Sequence, residues 1–96
     1  MNKGWIVTKD YISNFDDTVK KVSIIGPRGC KLAEKELKKG HPFKMFDDDD
    51  NLYYSGFLFG DKDSEYGFKP LDDFGTSNAG CTYIQYKNED GKWETL

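Results

Sequence analysis

The sequence predicts an α+β domain built on a mainly antiparallel sheet of five to six strands. One helix, at about 29–39, should pack on a sheet face, and a long ordered loop or short helix should occupy about 64–74. Two observations point there. Runs rich in β-branched and aromatic residues come in pairs separated by turn-forming stretches, the mark of hairpins. Only one segment, Gly29–Lys39, places apolar residues at helical spacing.

Gly4–Tyr11 opens the chain as a strand, with Trp5 and Val7 alternating against Ile6 and Thr8. A polar turn is expected at Ser13–Asp17. Val19–Ile25 follows as the returning strand and stops at Gly26-Pro27. In Gly29–Lys39, Cys30, Ala33 and Leu37 form a narrow apolar face, opposite Lys31, Lys35 and Lys38. Gly40 is a natural stop, and Pro42 prevents a restart.

The segment Phe43–Phe59 is expected to organise the sheet. Its two strands flank Asp47–Asn51, five short polar residues whose side chains compete for backbone hydrogen bonds and favour a turn. Alternation sets Leu52, Tyr54 and Leu58 on one face and Tyr53, Phe57 and Phe59 on the other, so this strand should be central and covered on both sides. Gly56 in its middle suggests a bulge or a close neighbour.

Beyond Asp61 regularity falls. Ser64 is placed to cap a short helical turn through Glu65, Tyr66 and Phe68, while Gly67 and Pro70 argue against more than about two turns. Phe68, Leu71 and Phe74 should pin the rest as a packed loop, and Thr76–Gly80 has turn composition. Cys81–Lys87 is a strand with Thr82, Ile84 and Tyr86 on one side and Tyr83, Gln85 and Lys87 on the other. Asn88–Gly91 is a hairpin turn returning into Lys92–Leu96.

At 96 residues the chain has the size of one domain, 1–96. With 36% hydrophobic residues and fifteen aromatic ones, it can build a core without metals or disulfides. No apolar run approaches the ~18 residues of a membrane span, and the first ten residues lack a secretory core, so a cytoplasmic location is expected. Cys30 and Cys81 are then expected as free thiols. Net charge is −3, unevenly distributed: residues 1–44 carry ten basic and five acidic side chains, residues 45–96 four and twelve. A pI near 5.1 speaks against an ordinary nucleic-acid binder, despite Lys20, Lys21, Arg28, Lys31, Lys35 and Lys38.

Chemical motifs are sparse. Asp47, Asp49 and Asn51 imitate the first ligands of a calcium loop, but Leu52 and Leu58 stand where such a loop needs Gly and Glu. Arg28, Gly29 and Lys31, between a strand end and the expected helix start, form a candidate anion site without a phosphate-loop ending. Cys81 and His41 are a conceivable nucleophile–base pair, and Glu65, Asp72 and Asp73 conceivable acid–base carboxylates, but no spacing unites them. No catalytic residue, metal or cofactor is therefore expected.

The segments Phe43–Phe59, Pro70–Gly75, Ala79–Thr82 and Gly91–Leu96 resemble a group of small single-domain bacterial proteins of unassigned function, over roughly the last fifty residues. The resemblance implies a free-standing bacterial or phage-borne domain and brings no reaction or ligand.

The expectation is a non-enzymatic binding module acting through a protein partner, with an acidic inhibitor as one form. Its candidate contacts are Asp47, Asp48, Asp49, Asp50, Tyr53, Phe57, Tyr66, Phe68 and Phe74. Two alternatives stand beside it. One is a small anion- or nucleotide-binding protein or enzyme using Gly26-Pro27-Arg28-Gly29 and the helix start. The other is a homodimer paired through an edge strand such as 92–96.

Overall fold

The computed structural model describes residues 3–11 and 20–96. The polar turn expected at Ser13–Asp17, and Val19, lie outside the described residues.

Six strands form one antiparallel sheet: β1 (Gly4–Asp10), β2 (Lys20–Gly26), β3 (His41–Phe46), β4 (Leu52–Phe59), β5 (Tyr83–Lys87) and β6 (Trp93–Thr95). Their order is β2-β1-β4-β3-β5-β6. The sheet is thus three hairpins laid side by side. Two crossings connect them, one over each face.

The first crossing differs from the expected helix. Only Glu34–Leu37 is helical (α1). Pro27–Cys30 is a tight turn closed by the Cys30 amide on the Pro27 carbonyl (2.9 Å), with Gly29 at φ 88°, and Ala33 is extended. The physical reason is local. The Pro27–Cys30 turn, with Gly29 in the left-handed region, takes the first residues out of helical conformation. What remains is too short to be helical on its own strength, so only the turn that packs Leu37 on the sheet is helical. A single plug, Leu37, becomes fully buried, and α1 packs on β1 and β4. Register places Ile6 and Phe57 together on this face.

The second crossing takes the short-helix form of the two expected, and runs further than about two turns. Residues 65–79 form one bent helix: a 3₁₀ turn Glu65–Phe68, a wide turn Leu71–Gly75 and an α-turn Thr76–Ala79. Ser64 caps it as anticipated, its hydroxyl oxygen accepting from the Tyr66 amide at 3.2 Å. Pro70 does not end the helix, because it opens the second stretch, where its φ of −59° is already helical and no N–H is needed. Gly80, at φ 68°, is the left-handed stop, donating to the Thr76 carbonyl.

The main core lies under this helix: Trp5, Val7, Phe43, Met45, Tyr54, Leu58, Ile84 and Tyr86 from the sheet, with Leu71 and Cys81 above. β4 is central, and a Cβ on Gly56 would run into the Ile6 carbonyl oxygen, so the glycine marks a close approach of β1. The expected alternation of β4 fails at one point. Phe46 pairs with Leu52 while Met45 pairs with Tyr54, so Tyr53 bulges and Leu52 leaves the Tyr54/Leu58 face. Coverage is unequal too: Tyr54 and Leu58 are buried, while Phe57 and Phe59 stay half-buried. Among the described residues no helix is long and apolar enough to cross a membrane.

Candidate functional site

On β3, β5 and β6 the register pairs Lys44 with Gln85, Phe46 with Tyr83, Gln85 with Thr95 and Lys87 with Trp93. These side chains lie opposite Phe43, Met45, Ile84 and Tyr86, which fill the core. Lys44, Phe46, Tyr83, Gln85 and Trp93 are half-buried, and Thr95 is exposed. The rings are ordered by one another. Phe46 and Tyr83 stack 5.0 Å apart and nearly parallel, at 9°. Lys44 reaches across β5 to hold its ammonium 4.3 Å from the Trp93 ring centroid. Gln85 Nε2 donates to Thr95 Oγ1 at 3.2 Å. The result is an aromatic platform with one fixed cation.

The aspartate turn joins this platform. Asp47 Oδ1 accepts from the amides of Asp49 and Asn51, both at 2.9 Å, and its Oδ2 takes the Asn51 side-chain amide at 3.2 Å. These donors, the Asn51 backbone amide first, hold the Asp47 carboxyl below its ordinary value. The nearby Asp47 carboxylate pushes the Tyr53 phenol up. Asp50 sits at φ 62°, and its carboxylate accepts from the Tyr83 hydroxyl. That bond raises Tyr83 to about 12. Asp47 therefore builds the turn and Asp50 ties it to the platform. Asp48 and Asp49 leave their carboxylates exposed to solvent.

The other aromatic candidates are dispersed. Phe57 lies in the half of the sheet where α1 packs. Tyr53 packs against the main core. Phe74 is half-buried between Trp5 (5.8 Å) and Tyr54 (4.8 Å). Tyr66 is half-buried with Lys3 over its ring, and Phe68 is exposed at 39%. Tyr66, Phe68 and Phe74 belong to the bent helix, on the far side of the sheet from the platform. No single surface therefore collects all nine expected contacts. The four aspartates stand with Phe46, Tyr83 and Trp93 instead. Alternation in β5 set Tyr83 on one side with Gln85 and Lys87, but no local pattern joined it to Phe46 or Trp93.

The anion candidate loses its helix: α1 begins at Glu34, so Gly29 and Lys31 precede it in non-helical chain, and its first turn is acidic. His41 and Cys81 do not meet. His41 starts β3, while Thr82, next to Cys81, bonds to Phe46 at its other end. Burial pushes the Cys81 thiol up to about 11, the wrong direction for a nucleophile. Both cysteines are free. Among the described residues no group of three or more His, Cys, Asp or Glu is arranged to hold a metal.

No protein-family model matches this sequence, and neither a curated protein nor a solved structure matches it significantly.

Proposed function

We propose that the chain is a binding module that engages a protein partner through the aspartate turn and the adjoining platform of Lys44, Phe46, Tyr83 and Trp93. The observation that carries the reading is the Tyr83–Asp50 hydrogen bond, which joins the acidic turn to the aromatic rings. Aromatic side chains held half-exposed are typical anchors of protein interfaces. The exposed Asp48 and Asp49 add steering toward a basic surface. A phosphate backbone would be repelled by the same carboxylates, which favours a protein over a nucleic acid. The partner is thus a protein that is basic where it meets the turn and apolar where it meets the rings.

Affinity capture from lysate of the chain's own source tests this. Asp48→Asn/Asp49→Asn and Trp93→Ala are compared with the wild type and with Phe68→Ser, which alters the opposite side. Asp47 is left intact because it builds the turn. A partner kept by the wild type and Phe68→Ser and reduced at least about tenfold in the other two is expected. Equal capture by all four, or no specific partner, refutes the proposal.

A further inference from the structure

A second site lies at the opposite edge of the sheet, on the side covered by the bent helix, and stands independently of the platform. We propose that the groove between the β2 edge and this helix binds a small phosphate or carboxylate anion that carries an apolar group. One bank is Ile25, Gly26, Pro27 and Arg28, the other is Lys69 and Asp73, and Trp5 completes the lining. Its volume of about 580 Å³ is in the range of small-molecule sites.

Charge, partnering and shape converge. Arg28 and Lys69 bring cations from two separate segments to opposite banks. Arg28 is exposed and makes no hydrogen bond or ion pair with any described residue, and its planar guanidinium fork suits an anion. The single carboxylate in the lining is already engaged. Asp73 Oδ2 accepts from Trp5 Nε1 at 3.3 Å, and Oδ1 lies 4.0 Å from Lys69 Nζ. With two cations and one carboxylate, the lining is net positive in a chain whose total is −3.

The backbone fixes this arrangement. Gly29, at φ 88°, lets the Pro27–Cys30 turn close and so sets the position of Arg28. Any side chain at Gly26 would collide with the Trp5 ring, so the indole packs directly on the β2 backbone. The apolar contacts come from the wall. Pro27 stands next to Arg28 and the Trp5 indole completes the lining, while Ile25, paired with Ile6, turns its side chain toward the α1 face. A bare inorganic anion would leave that wall unused; an anion bearing a ring or short alkyl chain uses both.

The test is a titration of the ¹⁵N-labelled protein at constant ionic strength with phenyl phosphate, 3-phenylpropionate and inorganic phosphate. The first two distinguish a phosphate from a carboxylate ligand. The expected result is saturable shifts at Arg28, Gly29, Lys69 and the Trp5 indole N–H with at least one of the two organic anions, and weaker binding of inorganic phosphate. Arg28→Ala and Lys69→Ala, both exposed, should each weaken that binding about tenfold while the remaining spectrum is unchanged. Three results overturn the proposal: no saturation below about 10 mM, shifts unaffected by either variant, or inorganic phosphate binding as tightly as the organic anions.

Discussion

The turns Asp47–Asn51 and Asn88–Lys92 share one backbone hydrogen-bond pattern, and the difference that matters lies at the fourth position. In each, the first side chain accepts from the amides two and four residues on: Asp47 from Asp49 and Asn51, Asn88 from Asp90 and Lys92, all at 2.9 Å. In each, the first amide donates to the fifth carbonyl and the fourth amide to the first carbonyl. The fourth residue is left-handed in both, Gly91 at φ 79° and Asp50 at φ 62°. Glycine takes that conformation freely; a side chain there costs about 1 kcal/mol, somewhat less for Asp. The β5–β6 turn is thus optimised for closing a hairpin. The β3–β4 turn accepts strain to place a carboxylate against Tyr83. The binding role proposed above gives that strain a purpose.

The comparison breaks most strongly at the shared first position. Asn88→Ala leaves two amides without their acceptor and should lower stability by about 1–2 kcal/mol in urea unfolding. Asp47→Ala should lower the midpoint in the same direction. Its effect should fade in acid: with the folded carboxyl below the ordinary 3.8, its contribution is present above that pH and lost as pH falls through the folded value.

Next comes the fourth position. Gly91→Ala should cost about 1 kcal/mol, because the new side chain is forced to positive φ. Asp50→Gly should do the reverse and gain about 0.5 kcal/mol, since relief of the left-handed side chain outweighs one exposed hydrogen bond.

The smallest effect is on Tyr83. Ultraviolet titration should find it near 12 in the wild type and back toward 10.0 in Asp50→Gly. Because the folded value is raised, the hydroxyl–carboxylate bond contributes fully below pH 10.0 and is lost as pH rises through about 12. A wild-type Tyr83 titrating near 10.0 would mean that Asp50 does not hold it.

The strands were legible because period-two alternation and turn residues are local. Trp5/Val7, Ile84/Tyr86 and Asn88–Gly91 fall where those rules put them. The extent of the two crossings was not, because it is set by which residues pack on the sheet. Cys30, Ala33 and Leu37 have helical spacing, yet Leu37 alone is buried. Gly67 and Pro70 resemble breakers, but Gly67 is buried with its carbonyl accepting the Tyr86 hydroxyl at 2.7 Å, and Pro70 opens a helical stretch. The aspartate turn was legible as a turn. Its neighbours Phe46 and Tyr83 were not, since β3 and β5 are brought together by a crossing that no local pattern encodes.

The most direct test of the strained-turn account is urea unfolding of Asp50→Gly against the wild type. A higher midpoint with an unchanged slope is predicted, meaning that the wild type forgoes stability to keep this carboxylate beside Tyr83. A lower midpoint would contradict the account: Asp50 would then be a structural staple between β5 and the turn, and the acidic turn would lose its claim as a binding feature.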